Sequence, residues 1–334
     1  MHRLVKDFLI NCFKSNLSKS SDLRPLVATY HLTHRCNLRC FFCEECGIEQ
    51  NKKWEAEGEL NTDEAKRLLR ILSKRFALLY VTGGEPFLRD DALEIFREAK
   101  QLPFKIITVN TNLTLMDRVE QALPNIDNLV VSIDSIDPKR FDEIRGVKGM
   151  GERVLHNLDR AISLQDKLNF KLLVNCVVTP STIDDARKVM NYCVERNVKV
   201  GINAQNDKHG PIKDLTQNDS FKELVREMMH IKRRTKLITG TKMYYDQMFE
   251  FIPYKCYPSL TPRINAKGDL AYPCDNLSNW VPDVISIGEW DDIIQKAREM
   301  YGPIPDCKKS CQFQCYIEPS KIAKKPWIAF KEYL

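Results

Sequence analysis

The stretch HRCNLRCFFCEECG, from His34 to Gly47, carries Cys36, Cys40, Cys43 and Cys46. Its first three cysteines form a CxxxCxxC array. Thiolates are soft ligands that select zinc or iron-sulfur clusters over magnesium and calcium, and three on one short loop can wrap a compact site. A structural zinc takes four ligands in a closed tetrahedron. A four-iron cluster held by three cysteines instead keeps one iron open to a substrate. Cys46 could complete a zinc site, so the array alone leaves both chemistries in play.

Two other stretches have chemical potential. VTGGEP, Val81 to Pro86, pairs Gly83 and Gly84, which let backbone amides approach a ligand closely, with Glu85, a carboxylate able to receive an amino group. Further on, Cys256, Cys274, Cys307, Cys311 and Cys315 share a segment rich in proline. Cys12, Cys176 and Cys193 fall on apolar faces of helix or strand patterns and read as packing.

The chain has 334 residues, 43% apolar and 29% charged, which suits a water-soluble globular protein with a large core. Its net charge of +6 is modest for that length and makes no demand for nucleic acid as a partner. No run of eighteen apolar residues occurs, and the first twenty residues contain Lys6 and Asp7 and lack a small-residue cleavage site. These features predict a cytoplasmic protein. Thiols stay reduced there, so twelve cysteines point to metal ligation or catalysis rather than to disulfides.

The elements that must position the cysteines follow from periodicity. Short β-branched runs predict strands at Val27 to Thr33, Leu78 to Thr82, Lys105 to Thr111, Asn128 to Asp134, Lys171 to Val178 and Lys199 to Ala204. Amphipathic segments at Thr62 to Lys74, Asp91 to Gln101, Glu152 to Lys167 and Thr182 to Arg196 predict helices between them, with Thr62 as a cap. One strand face is polar throughout: Thr29, His31 and Thr33, then Thr108, Asn110 and Asn112, then Ser132 and Asp134, then Asn203 and Gln205. A doubly wound sheet covers both faces and should read apolar on both. A partial (β/α)6 barrel with a polar lumen fits better. After Arg234 the rhythm changes to a small cysteine-bearing domain with a hairpin turn at Lys267 and Gly268 and a helix from Asp291 to Tyr301.

CxxxCxxC after the first strand, GGEP after the second and Phe42 before the third cysteine together resemble the radical S-adenosylmethionine (radical SAM) superfamily. The resemblance runs from Thr29 to about Gln205. It implies that Cys36, Cys40 and Cys43 hold a 4Fe-4S cluster whose open iron chelates S-adenosylmethionine, and that cleavage of that cofactor yields a hydrogen-abstracting deoxyadenosyl radical. Phe42 would lie against the adenine, and Gly83, Gly84, Glu85 and Pro86 would hold the methionyl end. Asn112, Ser132, Asp134 and Asn175 are further cofactor-binding candidates. Leu113 departs from the Thr-Asn-Gly turn common in the family, which weakens the place of Asn112. RFDEIRG, ending at Gly146, also resembles a family segment; its Arg145 is either a partner for a ligand carboxylate or a surface helix-end residue.

The order of the late cysteines resembles the auxiliary-cluster extensions called SPASM and twitch. It implies one auxiliary 4Fe-4S cluster on Cys256, Cys274 and two of Cys307, Cys311 and Cys315, with zinc as the competing reading. Cys46 and the spare late thiol are candidates to return a hydrogen atom to a substrate radical. The expected division is an amphipathic N-terminal helix over 1–25, the core over 26–235, the auxiliary domain over 236–316 and a basic aromatic tail over 317–334. The implied partners are a flavodoxin- or ferredoxin-type reductant and a substrate: first a peptide or protein, alternatively a lipid or carbohydrate. A zinc-stabilised binding protein on an inactive barrel is the reading from another class. Val5, Leu9, Phe13 and Leu17 share one helical row, and Trp327, Phe330 and Tyr333 sit among lysines in the tail. Both termini are candidates for peripheral contact with the inner membrane face, although docking on the protein itself or on a second subunit is the simpler expectation.

Overall fold

Strand β1 (Val27–Thr33) buries Ala28, Tyr30 and Leu32 on one face, and that face sets the plan of the molecule. The structure is a computed structural model that describes residues 2–18, 21–43, 58–207, 210–277, 279–307, 311, 313–328 and 332. Next come α2 (Thr62–Arg75), β2 (Leu78–Gly83), α3 (Ala92–Gln101), β3 (Ile106–Thr111), α4 (Met116–Ala122) and β4 (Asn128–Ser132). They continue as α5 (Pro138–Arg145), α6 (Met150–Leu168), β5 (Lys171–Val178), α7 (Ile183–Glu195) and β6 (Lys199–Ala204). The N-terminal helix α1 is His2–Phe13.

The six strands pair in parallel and in chain order, β1 to β6. Sequential order has no switch point, which excludes the doubly wound alternative. The sheet does not close; it is a partial barrel. Alternation holds along the strands: Leu172, Val174, Cys176 and Val178 of β5 are buried beneath helices, while Leu173, Asn175 and Val177 face the half-open lumen. Asp134 lies just beyond β4 and is buried, not on the lumen wall.

Local chemistry sets the helix ends. The cap of α2 is Asn61, one residue before the expected Thr62: its side chain accepts from the Glu64 amide at 3.0 Å while Glu64 accepts from the Asn61 amide at 2.8 Å. Thr62 instead bonds Asp91 at 2.7 Å. Asp137 caps α5 from one side of Pro138, and Gly146 ends it at φ +70°.

Beyond the core lie α8 (Asp219–Arg234), α9 (Lys242–Glu250), β7 (Arg263–Ile264), β8 (Leu270–Ala271), β9 (Trp280–Val281), α10 (Trp290–Tyr301) and α11 (Gln314–Lys324). The hairpin forms where predicted, with Gly268 at φ +83°. It is not a detached module, however. Strand β7 pairs in parallel with β1, Thr29 opposite Arg263, so the hairpin extends the barrel sheet to the order β9-β8-β7-β1-β2-β3-β4-β5-β6. At the other edge Val200 of β6 bridges to Ile238, with amide bonds to Leu237 and from Thr239. Both edges of the half-barrel are thereby covered, which blunts strand-edge association.

Candidate functional site

Four segments converge where β1, β2 and β3 end. Gly84 donates its amide to the Thr33 carbonyl and Glu85 to the Arg35 carbonyl, both at 2.8 Å. A Cβ on Gly83 would stand 2.2 Å from the Thr33 oxygen and one on Gly84 2.1 Å from that of Arg35. No side chain fits in either gap. The paired glycines thus bring the cysteine loop against the end of β2, a role the sequence reading had given only to ligand approach.

Glu85 needs a correction. Its carboxylate is completely buried: Oε1 accepts from the Phe87 amide at 3.1 Å and the Thr111 hydroxyl at 2.9 Å, and Oε2 from the Asn112 amide at 2.7 Å. It latches β3 to β2 instead of offering an oxygen to a ligand, so it is a positioning residue. Burial pushes its carboxyl up to about 7, against the pull of those three donors. The fold therefore holds the proton more tightly than the unfolded chain, and stability falls as pH rises from about 4.5 to about 7. The size of that fall is on the order of 3 kcal/mol. Glu85→Gln should flatten it, costing about 1–3 kcal/mol at low pH because an amide NH2 would face a backbone donor, a difference that shrinks as the parent loses its own stability toward pH 7. Denaturant midpoints at pH 5.5 and 7.5 check both effects.

Asn112 ties the latch to the cysteines. Its Nδ2 donates to Asn37 Oδ1 at 2.9 Å and reaches Cys36 Sγ at 3.9 Å, and its Oδ1 accepts from both the amide and the hydroxyl of Thr114. Leu113, the departure from the family's glycine, takes φ +62° and is fully buried. The turn keeps the left-handed path that glycine makes easy, so the substitution leaves Asn112 in position, at a cost of about 1–2 kcal/mol.

Arg145 has neither of its expected places. It is buried, with Nη2 2.6 Å from Asp134 Oδ2 and Nη1 donating to Cys40 Sγ at 3.4 Å. Its guanidinium lies 5.7 Å from the Phe42 ring and 5.6 Å from that of Phe141. The carbonyls of Arg145 and Ile144 accept from the amides of Arg39 and Phe41. The end of α5 therefore backs the whole cysteine loop, and the close approach of Arg39 to Gly146 explains the glycine there. Burial raises the Cys40 thiol and Arg145 works against it; Asp134 is likewise raised by burial and pulled back by Arg145. A buried cation touching a ligand-type thiol favours thiolate, as a metal cluster requires. Asp134 is taken up by Arg145 and by the Val177 amide at 2.8 Å, which removes it from the cofactor-facing set. The resemblance of RFDEIRG to a family segment points to this arginine, but nothing in that stretch indicates burial.

Cys36, Cys40 and Cys43 are half-buried on the loop, and Cys46 lies outside the described residues. The donor set suits a soft metal cluster: three thiols, an amide donor and a guanidinium, with Phe42 and the exposed Phe41 packed edge to face beside them. The lumen continues from this loop. Ser132 donates to Asn110 at 3.3 Å, Asn203 to Asn175 at 2.5 Å, and the Tyr244 hydroxyl of α9 to Asn203 at 2.7 Å. Arg263 reaches Asp275 at 2.6 Å and His31 Nδ1 at 3.0 Å. Ser132 and Asn175 thus do face the lumen, as expected of them.

The late cysteines divide. Cys256, Cys274, Cys307 and Cys311 line one cavity walled by Tyr254, Pro258, Pro273, Leu277, Pro305 and Tyr316, whereas Cys315 does not line it. The Cys256 amide donates to the Cys307 carbonyl at 3.0 Å, and Asn276 Nδ2 donates to Cys311 Sγ at 3.1 Å. Burial pushes Cys256 up to about 12 and Cys274 to about 11. Cys256 is buried and the other three are half-buried against apolar walls, with a donor aimed at one sulfur, a soft-ligand chemistry that suits iron-sulfur, although among the described residues the thiols are not drawn together into a metal site. Cys315 sits among Tyr80, Tyr244, Arg263 and Asp275, within electrostatic reach of Cys274. Cys315 is exposed to solvent, yet the surrounding protein pushes its thiol up to about 12.

Residues 30–193 match the Radical SAM superfamily, so this stretch is a radical SAM domain. The superfamily's cofactors, a four-iron cluster and S-adenosylmethionine, go with that domain. Among curated relatives, a probable GTP 3',8-cyclase of Sulfurisphaera tokodaii is 31% identical over 50% of this chain and 51% of its own. Molybdenum cofactor biosynthesis protein 1 of Drosophila melanogaster is 35% identical over 49% of this chain and 30% of its own. The chain thus spans about half the length of the first and less than a third of the second. Among solved structures, native anSMEcpe with bound AdoMet matches with a TM-score of 0.64 at 17% identity, over 92% of this chain and 98% of that one. Streptococcus suis SuiB bound to S-adenosylmethionine matches with a TM-score of 0.57 at 19% identity, over 77% of this chain and 62% of that one. These likenesses establish the fold across both the barrel and the late cysteine region.

Proposed function

We propose that this enzyme cleaves S-adenosylmethionine reductively at a cluster held by Cys36, Cys40 and Cys43, and acts by hydrogen abstraction on a polar substrate in the lumen. The carrying observation is the Arg145 contact on Cys40, which joins the cysteine loop to the buried Asp134. Held there by Cys36, Cys40 and Cys43, a four-iron cluster would supply one-electron reduction chemistry toward the sulfonium of S-adenosylmethionine. Asn112 and Arg145 orient the loop, Glu85 fixes the ends of β2 and β3, and Asn110, Ser132, Asn175 and Asn203 offer neutral hydrogen-bonding groups to what lies in the lumen. The retained Cys36, Cys40 and Cys43 with Gly83, Gly84 and Glu85 speak for this reading over a zinc-stabilised binding protein on an inactive barrel. Anaerobic reconstitution followed by dithionite and S-adenosylmethionine should release deoxyadenosine and methionine. No release from iron-replete protein would end this reading.

A second, auxiliary four-iron cluster is the reading of the Cys256, Cys274, Cys307 and Cys311 cavity. Iron analysis should find about eight irons per chain, falling to about four in Cys311→Ala and staying near eight in Cys315→Ala. Equal loss in the two variants would overturn the division of the cysteines. Zinc in place of about half the iron would restore the competing metal.

For the substrate, a peptide or protein remains the first reading. Among the described residues the lumen wall presents amides and hydroxyls that suit a peptide backbone, and Arg263 there is already engaged by Asp275. A nucleotide is the second reading, favoured by relatives named as GTP 3',8-cyclases. A triphosphate calls for several uncommitted cations. Deoxyadenosine release stimulated by GTP, with a cyclised purine as product, would decide for the nucleotide; indifference to GTP leaves the peptide. A flavodoxin- or ferredoxin-type protein is the proposed electron donor.

A further inference from the structure

Helix α1 is amphipathic in the wrong sense for a helix on a protein surface. Its buried row, continued through the π-helical turn Lys14–Ser18 that follows it, is polar: Asp7, Asn11 and Ser15. Asp7 pairs with Arg24 at 2.9 Å and Arg75 at 2.8 Å, Asn11 exchanges two hydrogen bonds with the Arg24 backbone, and Ser15 donates to the Ala323 carbonyl at 2.8 Å. These bonds hold the helix to the body. The apolar row, Val5, Leu9, Phe13 and Leu17, points away and is 48–71% exposed. The expectation that this row docks on the protein itself therefore fails.

What covers the row is indicated by its surroundings. The exposed charged residues of this segment, Arg3 and Lys6, are cations, and so is the half-buried Lys14; its acid, Asp7, is buried and paired. Lys324 of α11 donates to the Ser15 carbonyl at 2.6 Å, which brings the tail alongside. One turn further, Lys325 is exposed and Trp327 is 62% exposed. An exposed row of large apolar side chains on a helix whose exposed charges are cations, with a second exposed aromatic in the lysine-bearing tail, matches the chemistry of an interfacial helix on an anionic bilayer. No described helix is long and apolar enough to cross a membrane, so the contact is with one leaflet.

We propose that the α1 face of Val5, Leu9, Phe13 and Leu17, with Trp327, seats the enzyme on an anionic membrane surface. Lysines beside the row meet lipid headgroups, and the apolar side chains enter the headgroup boundary. Docking sets which substrates reach the lumen but adds no group to it.

Flotation of the full, cluster-loaded protein with phosphatidylglycerol-containing vesicles tests this. The protein should float with those vesicles and stay behind with pure phosphatidylcholine. Leu9→Glu and Phe13→Glu should each lower the partition coefficient about tenfold or more, with thermal unfolding and uncoupled S-adenosylmethionine cleavage unchanged. Lys6→Glu should weaken binding in low salt and less so in high salt. Failure to float with anionic vesicles overturns the proposal. So does a concentration-dependent dimer that Phe13→Glu dissociates, since a second copy would then cover the row.

Discussion

Cys40→Ala should reduce the iron content from about eight to about four per chain and lower deoxyadenosine release by a factor of at least about 10². Cys40 shows why a single sulfur matters so much. It sits beside Arg145 Nη1 at 3.4 Å, and the end of α5 in turn holds the loop through backbone bonds from Arg39 to the Arg145 carbonyl and from Phe41 to that of Ile144. A cluster missing that corner loses a ligand and the cation that stabilises its charge together. The measurement is iron and sulfide content beside product release under dithionite. Release persisting near the parent level would discredit the assignment of the cluster to this loop.

Arg145→Met should destabilise the protein by about 3–5 kcal/mol, because it leaves Asp134 as a buried charge without its partner. Removing both charges in Arg145→Met with Asp134→Asn should recover most of that loss, since neither partner is then stranded. The double variant still lacks the contact to Cys40. It should therefore fold well and yet bind its first cluster weakly, a separation that a merely structural arginine would not produce. Arg145→Lys should retain the charge and lose the forked geometry that touches Asp134 and Cys40 at once. Denaturation midpoints combined with the spectrum of the reduced first cluster decide this; a loss under about 0.5 kcal/mol in the single variant would refute the buried-pair reading.

The barrel was legible because its signal is periodic. Alternation in stretches such as KLLVNCVV places Leu172, Val174 and Cys176 on the helix side and Asn175 on the lumen, and the structure keeps those assignments. The cysteine array and the paired glycines were legible because their types and spacing are restrictive. Legibility failed where a polar residue is buried by something distant in sequence. Asp134 follows the alternation of β4 and was expected in the lumen, but the chain turns after Ser132 and Arg145 of α5 claims it. Glu85 likewise advertises a carboxylate, and only the meeting of β2 with β3 shows it spent on the Asn112 and Phe87 amides and the Thr111 hydroxyl. Helix α1 misled in the opposite way: its apolar row was visible, but nothing in sequence revealed that Asp7, Asn11 and Ser15 would do the docking.

The pairing of β7 with β1 joins the first strand of the barrel to residues made more than two hundred positions later. During synthesis on the ribosome, the outer edge of β1 must therefore stay open while the remaining barrel strands emerge, because its neighbour does not yet exist. Long-range closure of this kind is slow, and the waiting edge is a template for wrong partners. Chains truncated before the hairpin should aggregate, and expression should depend on chaperones far more than the regular βα core would suggest.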